Sequence, residues 1–269
     1  MKTVILGCGY IGGALLAEID RKERVVVATT RHEERRQELS RVADEVVVLQ
    51  AEDQVALAKL LKEAEQVIVT IAVDRGGSYK EAYLDTAKAV AGCLGPHMRH
   101  LIYTSSTSVY GDARGDWVTE ETPLAPLDKN AEILCEAEKI YLALPIKATI
   151  LRLAGIYGPG RTHEKRAYDL YAATFHGEAS SFCNWVHKED IVRAILWVLN
   201  NGLEGIYNVC SNEHPTRAVF YGSLFRELGL GKVEWDTTKG RFGNKRVASE
   251  KLKETGFTYL HGCRENHSL

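Results

Sequence analysis

The sequence has 269 residues, of which 45% are hydrophobic and 26% are charged, and its formal net charge at pH 7 is -2. A chain of this length can bury a large core without disulfides or metal ions. The near-neutral charge argues against a nucleic-acid or membrane surface as partner, so we expect a small-molecule partner.

The six cysteines are scattered, with no Cys-x-x-Cys pair and no histidine at ligand spacing. This pattern argues against a zinc site and against a disulfide framework. The sequence runs from Met1-Lys2 directly into a predicted strand, and it has no apolar run of about 18 residues. We therefore expect a cytoplasmic protein with no metal site.

The first hundred residues alternate short β-branched runs with amphipathic stretches. The predicted strands are Thr3–Leu6, Arg24–Ala28, Glu45–Leu49, Val67–Ala72 and His100–Thr104. The predicted helices between them are Ile11–Asp20, Glu33–Val42, Asp53–Ala64 and Ser78–Leu94. This alternation is typical of an α/β fold with a doubly wound parallel sheet built from two mononucleotide-binding halves.

The pattern changes after Thr104, where a long polar loop from Ser105 to Leu127 precedes a further series of elements. A loop of that length in a compact domain is usually functional. The later predicted strands are Ala148–Leu153, Phe182–Val186 and Ile206–Val209. The later predicted helices are Asn130–Leu144, Asp190–Leu199, Arg217–Leu228 and Ser249–Thr255.

A Gly-x-Gly-x-x-Gly pattern, formed by Gly7, Gly9 and Gly12, directly follows the first predicted strand and opens the first predicted helix. In that context Gly7 makes the tight turn, Gly9 lets a pyrophosphate approach the backbone, and Gly12 lets the helix pack against the strand. The N–H groups of Tyr10 and Ile11 then face the anion. The sequence therefore predicts a Rossmann dinucleotide site.

The end of the second predicted strand reads Ala28-Thr29-Thr30-Arg31-His32, with no carboxylate that could bond a ribose 2′-hydroxyl. Thr30 offers a hydroxyl and Arg31 offers a bidentate cation, and both suit a 2′-phosphate. This favours NADP, with NAD possible. The alternative is that Arg31 is ordinary surface charge. Ala72, at the end of the fourth predicted strand, is a further candidate cofactor contact.

Several later segments resemble the extended short-chain dehydrogenase/reductase family of nucleotide-sugar epimerases and dehydratases. They are Tyr103–Asp112, Leu151–Arg161, Asn184–Asp190 and Ile206–Val209. Within that family, the glycine turn, the Ser-Ser-Thr-Ser-Val-Tyr-Gly-Asp run and the segment His214–Tyr221 look most like the atypical YeeZ-like branch. That branch is described as NAD(P)-binding or epimerase-like.

The resemblance implies a catalytic role for Ser106, which matches the family's Ser/Thr that hydrogen-bonds the reacting substrate oxygen. The alternative is a hydroxyl that satisfies backbone groups at a strand end. The family's acid–base pair is Tyr-x-x-x-Lys, whose spacing places both side chains on one helix face. The matching positions hold Asn130 and Leu134, so both side chains of the pair are missing.

Other side chains near the resembling segments are candidates for a substitute acid, with core packing as the alternative role. They are Tyr79, Tyr83, Tyr110 and His163. We expect His187 to be structural, with Asp190 capping the helix that follows.

The resemblance also implies a division of the chain by function. Residues 1–161 and 182–211 are expected to form the NADP-binding Rossmann domain, and residues 162–181 and 212–269 a small C-terminal substrate subdomain. Candidates for binding an anionic substrate, with solvated surface charge as the alternative, are Arg161, Arg217, Lys245 and Arg246. A homodimer through the fourth and fifth helices is expected because such dimers are common in the family.

Two functions remain open at this stage. The retained Ser106 favours an NADP-dependent oxidoreductase or epimerase-like enzyme. The missing Tyr/Lys pair favours a cofactor-binding regulator or sensor without chemistry.

Overall fold

The structure is a computed structural model that describes residues 1–49, 53–74, 76–171, 175–237 and 243–264. The chain divides into two compact units. The first comprises Met1–Ser106, Asp128–Leu151 and Val192–Ile206, and the second comprises Thr107–Leu127, Arg152–Ile191 and Tyr207–Leu269. The expected division into cofactor and substrate domains concerns function and stays a prediction.

The strands follow the chain in this order: β1 (Lys2–Leu6), β2 (Val25–Thr30), β3 (Glu45–Val48), β4 (Gln66–Val69), β5 (His100–Ser106), β6 (Trp117–Val118), β7 (Lys147–Leu153), β8 (Gly155–Tyr157), β9 (Phe175–His176), β10 (Trp185–His187), β11 (Gly205–Val209), β12 (Trp235–Asp236) and β13 (Arg246–Val247).

The helices follow in this order: α1 (Tyr10–Glu18), α2 (Arg36–Leu39), α3 (Gln54–Leu61), α4 (Thr86–Gly92), α5 (Lys129–Leu142), α6 (His163–Tyr171), α7 (Lys188–Asn201), α8 (Arg217–Glu227) and α9 (Glu250–Glu254). Short 3-10 turns cover Glu33–Arg35 and Thr107–Tyr110, and a π-helical segment covers Lys80–Asp85. None of the helices in the described part of the chain is both long and apolar enough to span a membrane.

Seven strands form one sheet in the order β11-β7-β5-β4-β1-β2-β3. The pairs β1/β2, β1/β4, β2/β3 and β4/β5 are all parallel. The order reverses between β1 and β4, which is the topological switch point where ligands bind in doubly wound folds. The predicted α/β fold with a parallel Rossmann sheet is confirmed.

The first unit packs around the central strands of this sheet because most of their β-branched side chains are buried on both faces. Val4, Val27 and Val67 are fully buried and share one core cluster with Leu61 of α3 and Tyr141 of α5. The continuous apolar runs in the sequence therefore predict the positions of these strands correctly.

The helix predicted over Glu33–Val42 is shorter in the structure than in the prediction. The structure has a 3-10 turn over Glu33–Arg35 and a single helical turn, α2, in which Leu39 alone is buried. Arg36 bonds both Glu33 and the Val46 carbonyl oxygen, so the charged side chains hold the segment locally. With one apolar anchor, the segment lacks the stripe that a longer amphipathic helix needs.

The predicted strand Phe182–Val186 forms only from Trp185, as β10. The preceding backbone is bound by loops instead, because the Phe182 N–H donates to the Asn244 side chain and the Cys183 N–H donates to the Pro215 carbonyl. The core of the second unit lies around the rings of Tyr157, Trp185 and Phe220.

Candidate functional site

The glycine pattern forms the turn between β1 and α1. Gly7 has a φ of +94°, in the region that favours glycine. A Cβ atom there would lie 2.9 Å from the Cα of Ile71, in the segment that follows β4. Gly7 is therefore required both by the backbone conformation and by close packing, as the pattern predicts.

Gly12 faces the same turn from the first turn of α1. A Cβ atom at Gly12 would lie 2.3 Å from the Gly7 carbonyl oxygen and 2.5 Å from Oγ1 of Thr70. The Thr70 hydroxyl in turn donates to the Gly7 carbonyl at 2.9 Å. Because no side chain fits here, the helix and the two strands approach each other closely at the switch point.

Gly9 differs, because a Cβ atom added there would meet nothing within 4 Å. The first turn of α1 carries no acidic residue. Unpaired N–H groups at a helix start attract anions. The open space beside Gly9 and the lack of an acidic residue in the first turn of α1 fit a pyrophosphate group at this turn.

The turn is also fixed by side chains that the motif does not contain. The Thr29 hydroxyl accepts the Gly7 N–H at 3.0 Å, and the Cys8 N–H donates to the Thr29 carbonyl at 2.9 Å. Nη1 of Arg35 donates to the Cys8 carbonyl at 2.5 Å. No local pattern in the sequence indicates this contact, because Arg35 and Cys8 are 27 residues apart.

Cys8 lies inside this turn but is not a reactive thiol. Its side chain is buried, and that burial raises its pKa to about 11, against smaller opposing effects of Thr29 and Arg35. The thiol is therefore neutral at physiological pH and acts as a small core residue.

The end of β2 brings together residues that the sequence separates. Thr30 is buried and its hydroxyl accepts the His32 N–H at 3.2 Å. Arg31 is half-exposed and forms an ion pair with Asp74, from the segment after β4. A carboxylate therefore does lie at this strand end, supplied from elsewhere in the chain. Ala72, two residues before Asp74, is exposed.

The hydroxyls at the end of β5 lie in different environments. Ser105 donates to Oε1 of Glu138 at 2.6 Å, and both residues are buried. Thr107 is also buried, whereas Ser108 is exposed. Ser106 is the last residue of β5 and is half-buried, which keeps it as the candidate for contact with substrate.

The positions of the missing acid–base pair lie on α5. Asn130 is exposed in its first turn, and Leu134 is buried. Asp128 caps this helix by accepting the Ala131 N–H at 2.8 Å. No tyrosine anywhere in the sequence is followed four residues later by lysine. Neither replacement can exchange a proton or lower the pKa of a neighbour.

Tyr110, a candidate substitute acid, lies in a buried network of the second unit. Its hydroxyl donates to Oδ1 of Asn208 at 2.8 Å and accepts from Nη1 of Arg152 at 2.8 Å. The Arg152 guanidinium also stacks over the Tyr110 ring, 4.9 Å from its centroid. Burial raises the pKa of Tyr110, and its paired hydroxyl favours the packing role over that of an acid.

Tyr79 and Tyr83 lie beside and within the π-helical segment Lys80–Asp85, with ring centroids 5.1 Å apart. Both are half-buried, so both remain candidates. Local π-helical turns are frequent at functional sites.

His163 is a packing residue. Its Nε2 lies 3.0 Å from the Cys263 carbonyl oxygen, and its ring stacks on Tyr157 with centroids 4.3 Å apart. Burial lowers the pKa of His163 to about 4. The ring is therefore neutral at physiological pH and donates its proton to the carbonyl.

Asp190 does not cap α7, which corrects the expectation from the sequence. The helix begins two residues earlier, at Lys188. The fully buried Asp190 carboxylate instead accepts the N–H groups of Leu260 at 2.8 Å and His261 at 3.0 Å. Only the folded chain reveals this partner, because it lies 70 residues away.

The candidate anion-binding cations Lys245, Arg217 and Arg246 bond backbone carbonyls of the second unit. Lys245 is buried and donates to the Gly111 carbonyl at 2.8 Å. Arg217 donates to the His176 carbonyl, and Arg246 donates to the Gly115 carbonyl. Arg161 is exposed.

The sheet order and the glycine turn define a Rossmann-type α/β protein. A model of the NAD-dependent epimerase/dehydratase family matches residues 3–210, and the chain belongs to this family. Protein YeeZ from Escherichia coli (strain K12) is 36% identical over 205 residues, covering 75% of this chain and 73% of YeeZ. The resemblance to the YeeZ-like branch of extended short-chain dehydrogenases/reductases is confirmed.

Two solved structures share the fold. The dTDP-glucose 4,6-dehydratase from Bacillus anthracis, in complex with NAD, has a TM-score of 0.77 at 21% identity, covering 97% of this chain and 92% of that chain. The UDP-glucuronic acid 4-epimerase from Bacillus cereus, in complex with NAD, has a TM-score of 0.79 at 17% identity, covering 98% and 95%.

The buried His163 makes stability depend on pH. Its pKa is about 4 in the folded state against 6.5 ordinarily, so the unfolded state binds more protons between these values. This contribution is complete above the ordinary pKa and is lost as pH falls towards the folded one. We expect His163→Gln, whose amide can still donate to Cys263, to lessen the pH dependence by about 3 kcal/mol at most.

Urea unfolding of both proteins between neutral and mildly acidic pH measures this difference. Identical pH dependence in the wild type and the variant would contradict the assignment. His100, whose pKa burial also lowers to about 4, remains in both proteins.

Proposed function

We propose that this protein is an NADP-dependent oxidoreductase or epimerase-like enzyme of the atypical extended short-chain dehydrogenase/reductase type. The observation that carries the proposal is the turn after β1, where Gly7 and Gly12 leave no room for a side chain and Gly9 faces open space. Such a turn serves close backbone approach to a dinucleotide pyrophosphate. Membership of the NAD-dependent epimerase/dehydratase family supports the same assignment.

The proposed cofactor contacts are the glycine turn, the backbone of Tyr10 and Ile11, and three residues at neighbouring strand ends. Ala72 follows β4 and is exposed. Thr30 is the last residue of β2, and Arg31 directly follows it. All of these residues belong to the first unit.

The choice of NADP rests on Arg31, whose present partner is Asp74. A 2′-phosphate carries more negative charge than one carboxylate and offers more acceptor oxygens, so it competes well for the guanidinium. Asp74 is the group that opposes this choice, because a carboxylate at this place can also accept a ribose hydroxyl. NAD binding is the alternative that this pair leaves open.

A nicotinamide cofactor supplies hydride transfer. In the proposed reaction Ser106 donates a hydrogen bond to the substrate oxygen that gains or loses a proton. Asn130 and Leu134 cannot move that proton, so water or another group, such as Tyr79 or Tyr83, takes that role.

The proposed substrate is a small molecule, and an anionic one suits the exposed Arg161. The related dehydratase and epimerase act on sugar nucleotides, which are anions of this kind. We further propose that residues 162–181 and 212–269 form the substrate side, that α4 and α5 form a homodimer face, and that the protein is cytoplasmic.

A second candidate function is a cofactor-binding regulator or sensor without chemistry. The observation that favours it is α5, where an exposed amide and a buried leucine occupy the positions of the family's acid–base pair. A site kept only for binding has no need of that pair.

Cofactor choice is tested at Arg31 and Asp74. Arg31→Ala should weaken NADPH binding by about ten- to a hundredfold, the value of a charge-assisted bond, and leave NADH within about twofold. Asp74→Asn should strengthen NADPH binding because it releases the guanidinium. Fluorescence titration of both cofactors gives the ratio of dissociation constants. An unchanged ratio in Arg31→Ala excludes this role, and weaker NADH binding in Asp74→Asn assigns the carboxylate to the ribose.

The turn itself is tested at Arg35. Arg35→Met removes the bond to the Cys8 carbonyl and should weaken NADPH and NADH equally, by about fivefold or more. The matched control is Arg36→Met, because Arg36 bonds Glu33 and Val46 and should leave both affinities unchanged. A selective effect on one cofactor, or equal effects of the two variants, would contradict a positioning role.

Catalysis is tested at Ser106 with NADPH and a panel of carbonyl, imine and nucleotide-sugar substrates. Ser106→Ala should lower turnover by about a hundredfold or more while cofactor affinity stays unchanged. Ser108→Ala, two residues away and exposed, is the control. If the wild type shows no turnover above Ser106→Ala on the whole panel, although it binds cofactor tightly, the regulator is the better description.

A further inference from the structure

Two histidines and a glutamate of the second unit lie together. They are His187 at the end of β10, Glu189 in the first turn of α7, and His261 near the end of the described chain. One ligand atom from each lies within 4.8 Å of the other two. Within the described ranges, this is the one group of three such side chains placed so closely.

Hydrogen bonds with backbone groups position both histidines. His187 is buried, and its Nδ1 accepts the Glu189 N–H at 3.3 Å, so the proton of the neutral ring is on Nε2 and a cation bound at Nδ1 would replace this long hydrogen bond. The neutral imidazole is the form that binds metal ions. The backbone of His261 is held in place because its main-chain N–H donates to the buried Asp190 carboxylate.

The side chains already approach the geometry of metal ligands. Nε2 of His261 lies 2.9 Å from Oε2 of Glu189, and the rings of His187 and His261 have centroids 3.8 Å apart. Ligand atoms at tetrahedral zinc are about 3.3 Å apart, given bond lengths near 2.0–2.1 Å. The Glu189 side chain is about half exposed, so it can rotate to close the remaining distance.

We propose that His187, Glu189 and His261 bind one divalent cation of the zinc class. Two imidazoles and a carboxylate suit zinc, cobalt and nickel better than the all-oxygen ligand sets of magnesium or calcium. Three protein ligands leave a fourth position for water, which reaches the site past Glu189. The cation joins the start of α7 to the segment around His261.

The segment around His261 is also held by hydrogen bonds from other residues, so the proposed site is preformed. The Tyr157 hydroxyl donates to the Gly262 carbonyl at 2.7 Å, and the Glu213 carboxylate accepts the Cys263 N–H at 3.0 Å. No pattern in the sequence predicts this site, since Glu189 and His261 are 72 residues apart and match no ligand spacing.

The test is a calorimetric titration of ZnCl2 into the metal-free full-length protein, in a buffer that does not bind zinc. We expect one equivalent to bind with micromolar affinity, and we expect Glu189→Gln and His261→Ala each to weaken it at least about tenfold. The control is His32→Ala, because the His32 ring pairs with Glu34 in the first unit and its removal should leave zinc binding unchanged.

Cobalt(II) gives a second measurement that identifies the ligands. We expect a visible spectrum without thiolate charge-transfer bands, and a shift or loss of that spectrum in Glu189→Gln. Glu189 is exposed, so this variant folds even if His261→Ala does not. Zinc affinity weaker than millimolar, unchanged binding in Glu189→Gln, or a thiolate band from one of the six free cysteines would each overturn the proposal.

Discussion

The first unit depends on how closely β1, α1 and the end of β4 approach one another. The Gly7 carbonyl accepts a hydrogen bond from the Thr70 hydroxyl. Because Gly12 has no side chain, α1 can pack against both of these groups. A single methyl group at either glycine would separate these elements. The same contact brings the segment after β4 to the end of β2, where Asp74 meets Arg31. The strand order and the candidate cofactor site therefore share one steric requirement.

Sequence reasoning performed best where the chain reports its own local environment. The strands of the first unit are continuous apolar runs, and Gly7 and Gly12 lie where a side chain does not fit. It failed where a group depends on a distant partner. The ion pair of Arg31, the bond from Arg35 to the Cys8 carbonyl, and the acceptors around Asp190 all join residues far apart in the chain. Side-chain charge alone cannot specify which distant group it will meet.

The second unit shows the same limit for function. The sequence offers Arg217, Lys245 and Arg246 as substrate cations, yet the structure gives each a backbone carbonyl as partner. Tyr110 and His163 are likewise buried among their own hydrogen-bond partners. In this unit, polar residues near the family's motifs hydrogen-bond the backbone of loops and so stabilise the loop conformation. Candidate chemistry is left to the few groups that remain partly exposed, above all Ser106 of the first unit.

The anchoring of the last described residues has a consequence for how the protein is made. Tyr157 and His163 bond the carbonyls of Gly262 and Cys263, about one hundred residues later, and Asp190 is buried against the backbone of Leu260 and His261. A nascent chain lacking these residues would hold a desolvated carboxylate without its donors, which is costly. The second unit therefore completes its packing only after residues 260–263 have left the ribosome.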